Sequence, residues 1–347
     1  MTMQKIPFEA DSLKSWFYEV RRDLPWRIKP TPYAVWISEV MLQQTQVAVV
    51  QGYFLRWMAR FPTIKSLAEA SLDEVIKMWE GLGYYSRARN LHSAARFLMD
   101  RHEGDLPSSK KELSEVKGLG PYTIGAILSF AFHQKTAAVD GNVIRVLTRY
   151  FGIEDDVQKS ATLKKIWEIA EEILPEDKPW EVTEGLIELG AMVCKRTPQC
   201  EDCPLNQGCV ALASGRQKEL PRKKKKNEIT SLSRRVFVII YSNKLLLKKG
   251  VTGKVMADLY EFPYVEESGE EFPFAFGAKQ IKKLPVVEHS FTRFRVKLHP
   301  TLWIALEEIV LPDYDWIPWD EIKKYPFSSG HRKVLQSLGQ DHAYIAY

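Results

Sequence analysis

The chain has 347 residues, 45% of them hydrophobic and 27% charged, which is enough for two ordinary domains with cores of their own. No apolar run approaches the ~18 residues of a membrane helix, and the start, MTMQKIPFEADSLKSW, lacks a basic-then-apolar leader, so the expectation is an intracellular protein, cytoplasmic and nucleoid-associated if bacterial, and not a membrane one. The formal net charge of +5 is concentrated in RQKELPRKKKK, Arg216 to Lys226, whose seven basic residues face one acid, Glu219, leaving the rest close to neutral.

In chain order, apolar residues recur at helical spacing over residues 33–50, 72–79, 86–102, 122–132, 143–151 and 161–174, with Pro, Gly and Asp in the connections. From Ser233 the character changes. RRVFVIIY, NKLLLKK and RFRVKLHPTLWIAL are β-branched and aromatic, as strands are, and a short helix fits near Gly330 to Leu338. The basic stretch lies between these regimes. The chain therefore reads as a helical domain over 6–213, a basic linker over 214–232 and an α+β domain over 233–347. By itself the basic run is a solvated linker, a phosphate-contacting segment or a targeting signal.

All four cysteines lie in CKRTPQCEDCPLNQGC, as Cys194, Cys200, Cys203 and Cys209. Thiolates this crowded suit a soft metal centre. A four-cysteine zinc site usually shows two separated C-x2-C knuckles, whereas here one C-x2-C is flanked by five-residue arms, which favours a [4Fe-4S] cluster over zinc. Upstream, the segment LSEVKGLGPYTIGAILSFAF places Gly118 and Gly120 before an apolar helix, a plain turn or a place where backbone N–H groups meet phosphate. Asp140 in AVDGNVIRVLTRY precedes another helix, where an aspartate caps orphan N–H groups. Glu39 stands in PYAVWISEVMLQQTQV, either on a surface face or half-buried among Val35, Trp36, Val40, Met41 and Leu42, where desolvation would raise its pKa.

Together these segments resemble the helix-hairpin-helix DNA glycosylases, the endonuclease III and MutY superfamily. The resemblance is strong over about residues 20–210 and covers most of the chain. It implies a mainly α helix-hairpin-helix glycosylase domain with a [4Fe-4S] loop, followed by an α+β Nudix-like domain. The family has six residues in the first cysteine gap and this chain has five, so the loop path differs while Cys200 stays the only candidate ligand. PYAVWISEVMLQQTQV is similar to the adenine-specific MutY branch, which implies Glu39 as catalytic acid and Asp140 as the second catalytic carboxylate, oriented by Tyr122 and Asn142. Strand-cutting relatives carry a lysine where Tyr122 stands, because an amine must attack the sugar; a monofunctional enzyme is expected, with Lys117 a phosphate contact or a solvated charge.

The resemblance further implies an adenine pocket lined by Trp26, Arg27, Leu42, Val47, Glu184 and Ile187, with Gln44 and Tyr84 inserted beside the lesion and Gly118 and Gly120 on the DNA backbone. ADLYEFPYVE resembles the Nudix-like domain of MutY proteins without the acidic, magnesium-binding run of a hydrolase. VEHSFTRFRVKL is similar to the family's His-x-Phe-Ser-His loop for 8-oxoguanine, with Phe291, Thr292 and Arg293 at its tip; a strand-end turn is the plainer reading. The expected partner is duplex DNA bearing an A:8-oxoG or A:G mispair, met by a monomer. A strand-cutting or thymine-type glycosylase, or a non-catalytic iron–sulfur DNA-binding protein, are the alternatives.

Overall fold

The computed structural model describes residues 7–223, 229–251, 256–267, 277–291 and 293–338. Their contacts divide the chain into two compact units, Met1–Glu69 with Asn90–Lys225, and Ala70–Arg89 with Lys226–Tyr347. This differs from the contiguous 6–213 domain expected from the sequence: residues 70–89 have helical character but group with the strand-rich unit, because local periodicity carries no information on the packing partner.

In the first unit the helix Pro32–Leu42 is buried from Tyr33 through Met41. It starts where Thr31 accepts from the Ala34 N–H and Pro32 takes the first helical position. A helix apolar on every side belongs in the middle of a core. The continuous helix expected over 33–50 is broken: Val47–Arg60 is a separate helix, and Gln44 between them has φ 58°. The hairpin runs from Lys110–Glu115 to Pro121–Ala126 and on into a π-helical turn, Ile127–Ala131. Gly118 has φ 95°, and a Cβ there would lie 2.8 Å from Asn90 Cβ, so glycine is required twice over.

The helix Gly141–Tyr150 crosses Pro179–Met192, the latter unforeseen as an element, and with Ser160–Glu172 they surround a core of Val143, Leu147, Ile166, Val182 and Leu189. The first half of the expected linker is docked on this unit. Arg149 Nε donates to the Leu220 carbonyl at 3.0 Å, Val157 N–H to that of Arg222 at 3.2 Å, and Arg216 and Arg222 both pair with Glu154. Residues 224–228 lie outside the described residues.

Among its described residues the second unit holds an eight-stranded mixed sheet: β1 Thr230–Tyr241, β2 Lys244–Lys249, β3 Tyr260–Glu261, β4 Tyr264–Glu266, β5 Ala278–Lys283, β6 Val287–Phe291, β7 Phe294–Ala305 and β8 Tyr314–Pro318. The long parallel pair β1 and β7 forms its centre, from Thr230 opposite Phe294 to Ile240 opposite Ile304. Alternation along β1 sends Val236, Val238 and Ile240 to one core and Phe237 and Ile239 to another, so both faces are covered. The helix Ser329–Leu338 adds Val334, Leu335 and Leu338 to the first of these cores. No helix among the described residues is long and apolar enough to cross a membrane.

Candidate active site

A cavity of about 700 Å³ opens in the first unit, lined by Glu39, Tyr122, Asp140 and Asn142, by Trp26, Arg27, Leu42, Val47, Glu184 and Ile187, and by Gln44. Eleven residues singled out from four separated stretches of sequence therefore share one space. Glu39 is 6% exposed. Burial in its apolar helix pushes its carboxyl up to about 7, against a hydrogen bond from the Tyr122 hydroxyl to Oε2 that favours the anion; the nearby charges of Asp140 and Glu184 push it up further. Tyr122 is itself driven well above the ordinary phenol range, by burial first and then by the carboxylates around it. It stays a neutral donor.

Asp140 caps the helix Gly141–Tyr150. Its Oδ1 accepts from the Asn142 and Val143 backbone N–H groups, both at 2.8 Å, and Oδ2 accepts from Asn142 Nδ2 at 2.7 Å. Burial raises its pKa, while these three donors work in the opposite direction and favour the carboxylate. Capping and a place in the cavity thus coexist. The amide of Asn142 is held in that sense because its Oδ1 accepts from Arg145 Nη2 at 2.7 Å; Arg145 also donates to the carbonyls of Gly190 at 2.8 Å and Cys194 at 2.6 Å.

The lining also carries Arg22 and Glu188, charges that the sequence did not disclose. Glu188, with a side chain 0% exposed, accepts from Arg22 Nε at 2.7 Å, Arg22 Nη2 at 2.9 Å and Arg27 Nη2 at 3.0 Å. Burial alone would raise its pKa, but these hydrogen bonds bring it down to about 2. Arg27 Nε pairs with Glu184 at 3.0 Å, whose carboxyl burial nevertheless holds above its ordinary value. Arg22, Leu24, Ser38, Phe130, His133, Trp180 and Glu188 all line the cavity unforeseen. No local signal marks Glu188, because the helix Pro179–Met192 is buried on several sides and the partners of Glu188 are distant in sequence.

Outside the cavity, Gly120 caps the second hairpin helix with φ −84°, and a Cβ there would meet nothing within 4 Å, so neither conformation nor internal packing demands glycine. Lys117 beside it is exposed. Tyr84 belongs to the second unit, with φ 49° and a side chain 45% exposed. Phe291 ends β6 opposite Phe294, with their rings 5.5 Å apart, and Arg293 lies 5.3 Å over the Phe294 ring. Thr292 lies outside the described residues.

The four cysteines are half-buried, and Cys194, Cys203 and Cys209 pack against the core that holds Leu147 and Leu189. Arg149 Nη1 lies 3.3 Å from Cys194 Sγ and donates to the Lys195 carbonyl at 2.6 Å. Burial, aided by the charges of Cys194, Cys209 and Cys200, pushes the Cys203 thiol up to about 12. All four sulfurs therefore lie within electrostatic reach of one another, a set that only a cationic centre would hold as thiolates. Among the described residues no three His, Cys, Asp or Glu side chains converge as the ligands of one ion would. A cluster places an iron at each thiolate, so its ligands need no common point, and the donor set fits it.

Comparison with known proteins finds one family over the helical stretch, residues 70–89 included, and another over the strand-rich one. The HhH-GPD superfamily of base excision DNA repair proteins matches residues 37–172, and the NUDIX domain matches residues 235–337. A solved thermostable thymine-DNA glycosylase is 28% identical with a TM-score of 0.55, over 59% of this chain and 95% of its own. A trapped covalent endonuclease III–DNA intermediate is 27% identical with a TM-score of 0.53, over 64% of this chain and 100% of its own. These likenesses define the class, a helix-hairpin-helix base excision repair fold joined to a Nudix-like domain. An adenine DNA glycosylase of Buchnera aphidicola subsp. Baizongia pistaciae is 33% identical over 305 residues, 86% of each chain. The chain belongs to the adenine DNA glycosylase family, hydrolases of N-glycosyl bonds.

Proposed function

We propose that the protein is a monofunctional adenine glycosylase that acts as a monomer on duplex DNA and removes adenine opposite 8-oxoguanine or guanine. The observation that carries this reading is Glu39, a carboxyl with a pKa of about 7 inside a cavity it shares with a carboxylate held by N–H donors. Adenine leaves poorly as an anion. With the base extruded into the cavity, protonated Glu39 gives its proton to adenine N7 as the bond from N9 to C1′ breaks and its electron pair stays on the base. Asp140 then stabilises the oxocarbenium ion, or bonds to C1′ until water supplies the hydroxyl and returns a proton to the site. Tyr122 and Asn142 hold the two carboxyl groups in place, and Tyr122 has no amine with which to form a Schiff base.

Around this centre, Trp26, Leu42, Val47 and Ile187 supply apolar walls for a purine, Arg27 and Glu184 its polar contacts, and Gln44 and Tyr84 the side chains that occupy the opened stack. Left-handed backbone at both Gln44 and Tyr84 supports that assignment, because such strain collects at functional positions. Gly118 and Gly120 let the hairpin backbone approach DNA phosphates. Phe291, Thr292 and Arg293 read the opposite base; the Nudix-like domain lacks the acidic run of a hydrolase and serves recognition. Cys194, Cys200, Cys203 and Cys209 hold a [4Fe-4S] cluster, which supplies a rigid fold for the loop beside Arg145 and Arg149 and no step of the excision.

Single-turnover excision from an A:8-oxoG duplex tests the reading, with loss of about 10² or more expected for Glu39→Gln and for Asp140→Asn. Excision retained by either variant, or a lysine-dependent borohydride-trapped adduct in normal turnover, would overturn it.

A further inference from the structure

The turn bearing Tyr84 is bound into the strand-rich unit by side chains on both of its flanks. Immediately before it, Glu80 Oε1 accepts from the Phe327 backbone N–H at 2.9 Å and from Arg332 Nε at 2.7 Å, while Oε2 accepts from Lys77 Nζ at 2.7 Å. Lys77 and Arg332 also donate to one carbonyl, that of Tyr325, at 3.0 and 2.8 Å. Immediately after it, Arg89 Nη1 donates to Asp258 at 3.0 Å and to the Ala257 carbonyl at 3.1 Å. Lys249 pairs with Asp73 at 2.7 Å.

Within the turn the chain is equally constrained. The Gly83 carbonyl accepts from Trp79 Nε1 and Arg87 Nη2, both at 3.1 Å, and the buried Arg87 guanidinium lies 5.1 Å from the Trp79 ring and 5.8 Å from the Tyr84 ring. Gly81 and Gly83 have φ of 102° and 72°, and Tyr84 itself 49°. A bulky residue keeps a left-handed backbone only where its surroundings over-determine it. An isolated surface ion pair would not suffice. Glu80 is different, because its carboxylate is only 17% exposed and gathers a backbone N–H and two cations.

We infer that Glu80 is a positioning residue that fastens the Tyr84 turn, through Phe327 and Arg332, to the helix Ser329–Leu338, so that the unit reading the lesion also sets the side chain that enters the duplex. The inference rests on the roles proposed above for Tyr84 and for the Nudix-like domain. Glu80 touches neither base nor sugar in this scheme. Its loss releases the anchor just ahead of the turn and lets Tyr84 relax from its left-handed conformation.

The test uses the full chain and two readouts: the ratio of excision rates at limiting enzyme between A:8-oxoG and A:G duplexes, and the fluorescence of a 2-aminopurine placed beside the 8-oxoguanine, which rises when the stack is opened. Glu80→Ala and Arg332→Ala are each expected to lower the ratio about ten-fold, as loss of a hydrogen bond to a charged group does, and to diminish the fluorescence rise, with excision at saturating enzyme little changed. Glu80→Ala combined with Tyr84→Ala should be no worse than Tyr84→Ala alone, since both act through one side chain. Glu80→Gln keeps an acceptor for Phe327 and is expected to lose less; should Glu80→Ala fail to fold, Glu80→Gln and Arg332→Ala decide. Wild-type ratio and fluorescence in the Glu80 and Arg332 variants beside a defective Tyr84→Ala would overturn the inference, as would additive losses in the double variant. A Tyr84→Ala enzyme with unchanged ratio and fluorescence would instead overturn the role of Tyr84 on which it stands.

Discussion

Gly190 offers a way to move the Asp140 carboxylate without touching it. A Cβ at this position in Pro179–Met192 would lie 2.5 Å from Asn142 Cβ, 2.9 Å from its Cα and 3.0 Å from its carbonyl oxygen. Ordinary contact begins near 3.4 Å, so in Gly190→Ala the start of the helix Gly141–Tyr150 must retreat by about 0.9 Å, unless strain is accepted at a typical overpacking cost of ~1–3 kcal/mol. Asn142 provides two of the three N–H donors to Asp140, and the carboxylate retreats with it. Misplacement of a reacting group by about 1 Å lowers rates ~10²-fold. The expected result is a single-turnover excision rate down about 100-fold on an A:8-oxoG duplex, with affinity for a non-cleavable duplex unchanged because the hairpin is untouched. A variant with wild-type excision, in a fold intact by circular dichroism, would refute the claim that this helix crossing sets the geometry of Asp140.

In the proposed mechanism Glu39 acts in its protonated form, so the excision rate should fall as pH rises through about 7; a flat profile from pH 6 to 9 would separate Glu39 from proton transfer. Tyr122→Phe removes a hydrogen bond that favours the Glu39 anion, so the descending limb should move to higher pH. Because the folded pKa of Glu39 exceeds 4.5, ionising it by pH 8 costs about 3 kcal/mol by linkage, and Glu39→Gln should raise the melting temperature at pH 8 while abolishing excision. Glu188→Ala takes the carboxylate from the half-buried Arg22 and leaves Arg27 with Glu184, a loss of about 1.5–3 kcal/mol in urea unfolding at neutral pH; the Glu188 contribution is present above the ordinary 4.5 and disappears as pH falls through about 2. Cys200→Ser should lower iron and sulfide content and visible absorption, and zinc in place of iron in the wild type would refute the cluster.

Legibility in the sequence followed the chemistry of each element. Asp140 could be placed at a helix start because an aspartate ahead of an apolar helical run is a capping signal, whereas the residues around Glu39 fitted a surface face or a desolvated carboxyl and only the resemblance chose the second. The break at Gln44 could not be seen: LQQTQVAV keeps helical spacing across it, and the left-handed residue is a glutamine rather than a glycine. Glu188 was invisible for another reason. Its partners Arg22 and Arg27 lie over 160 residues away in sequence, and nothing local distinguishes a buried paired glutamate from a solvated one. The same holds for residues 70–89, whose periodicity gives a helix but not its allegiance.

The proton affinities of the cavity follow from the kind of partner each carboxyl has. Glu188 is met by two guanidinium groups and remains an anion to about pH 2. Glu39, with one neutral donor and apolar surroundings, holds its proton to about pH 7. Asp140 differs from both, since among the described residues its hydrogen bonds come from neutral N–H groups while Arg145 is turned to Asn142 and to main-chain carbonyls. N–H dipoles favour the carboxylate without neutralising it in a contact ion pair. A cation bonded directly to Asp140 would compete with positive charge developing at C1′, so in the proposed mechanism holding it by dipoles leaves its charge available to the sugar at the moment the glycosidic bond breaks.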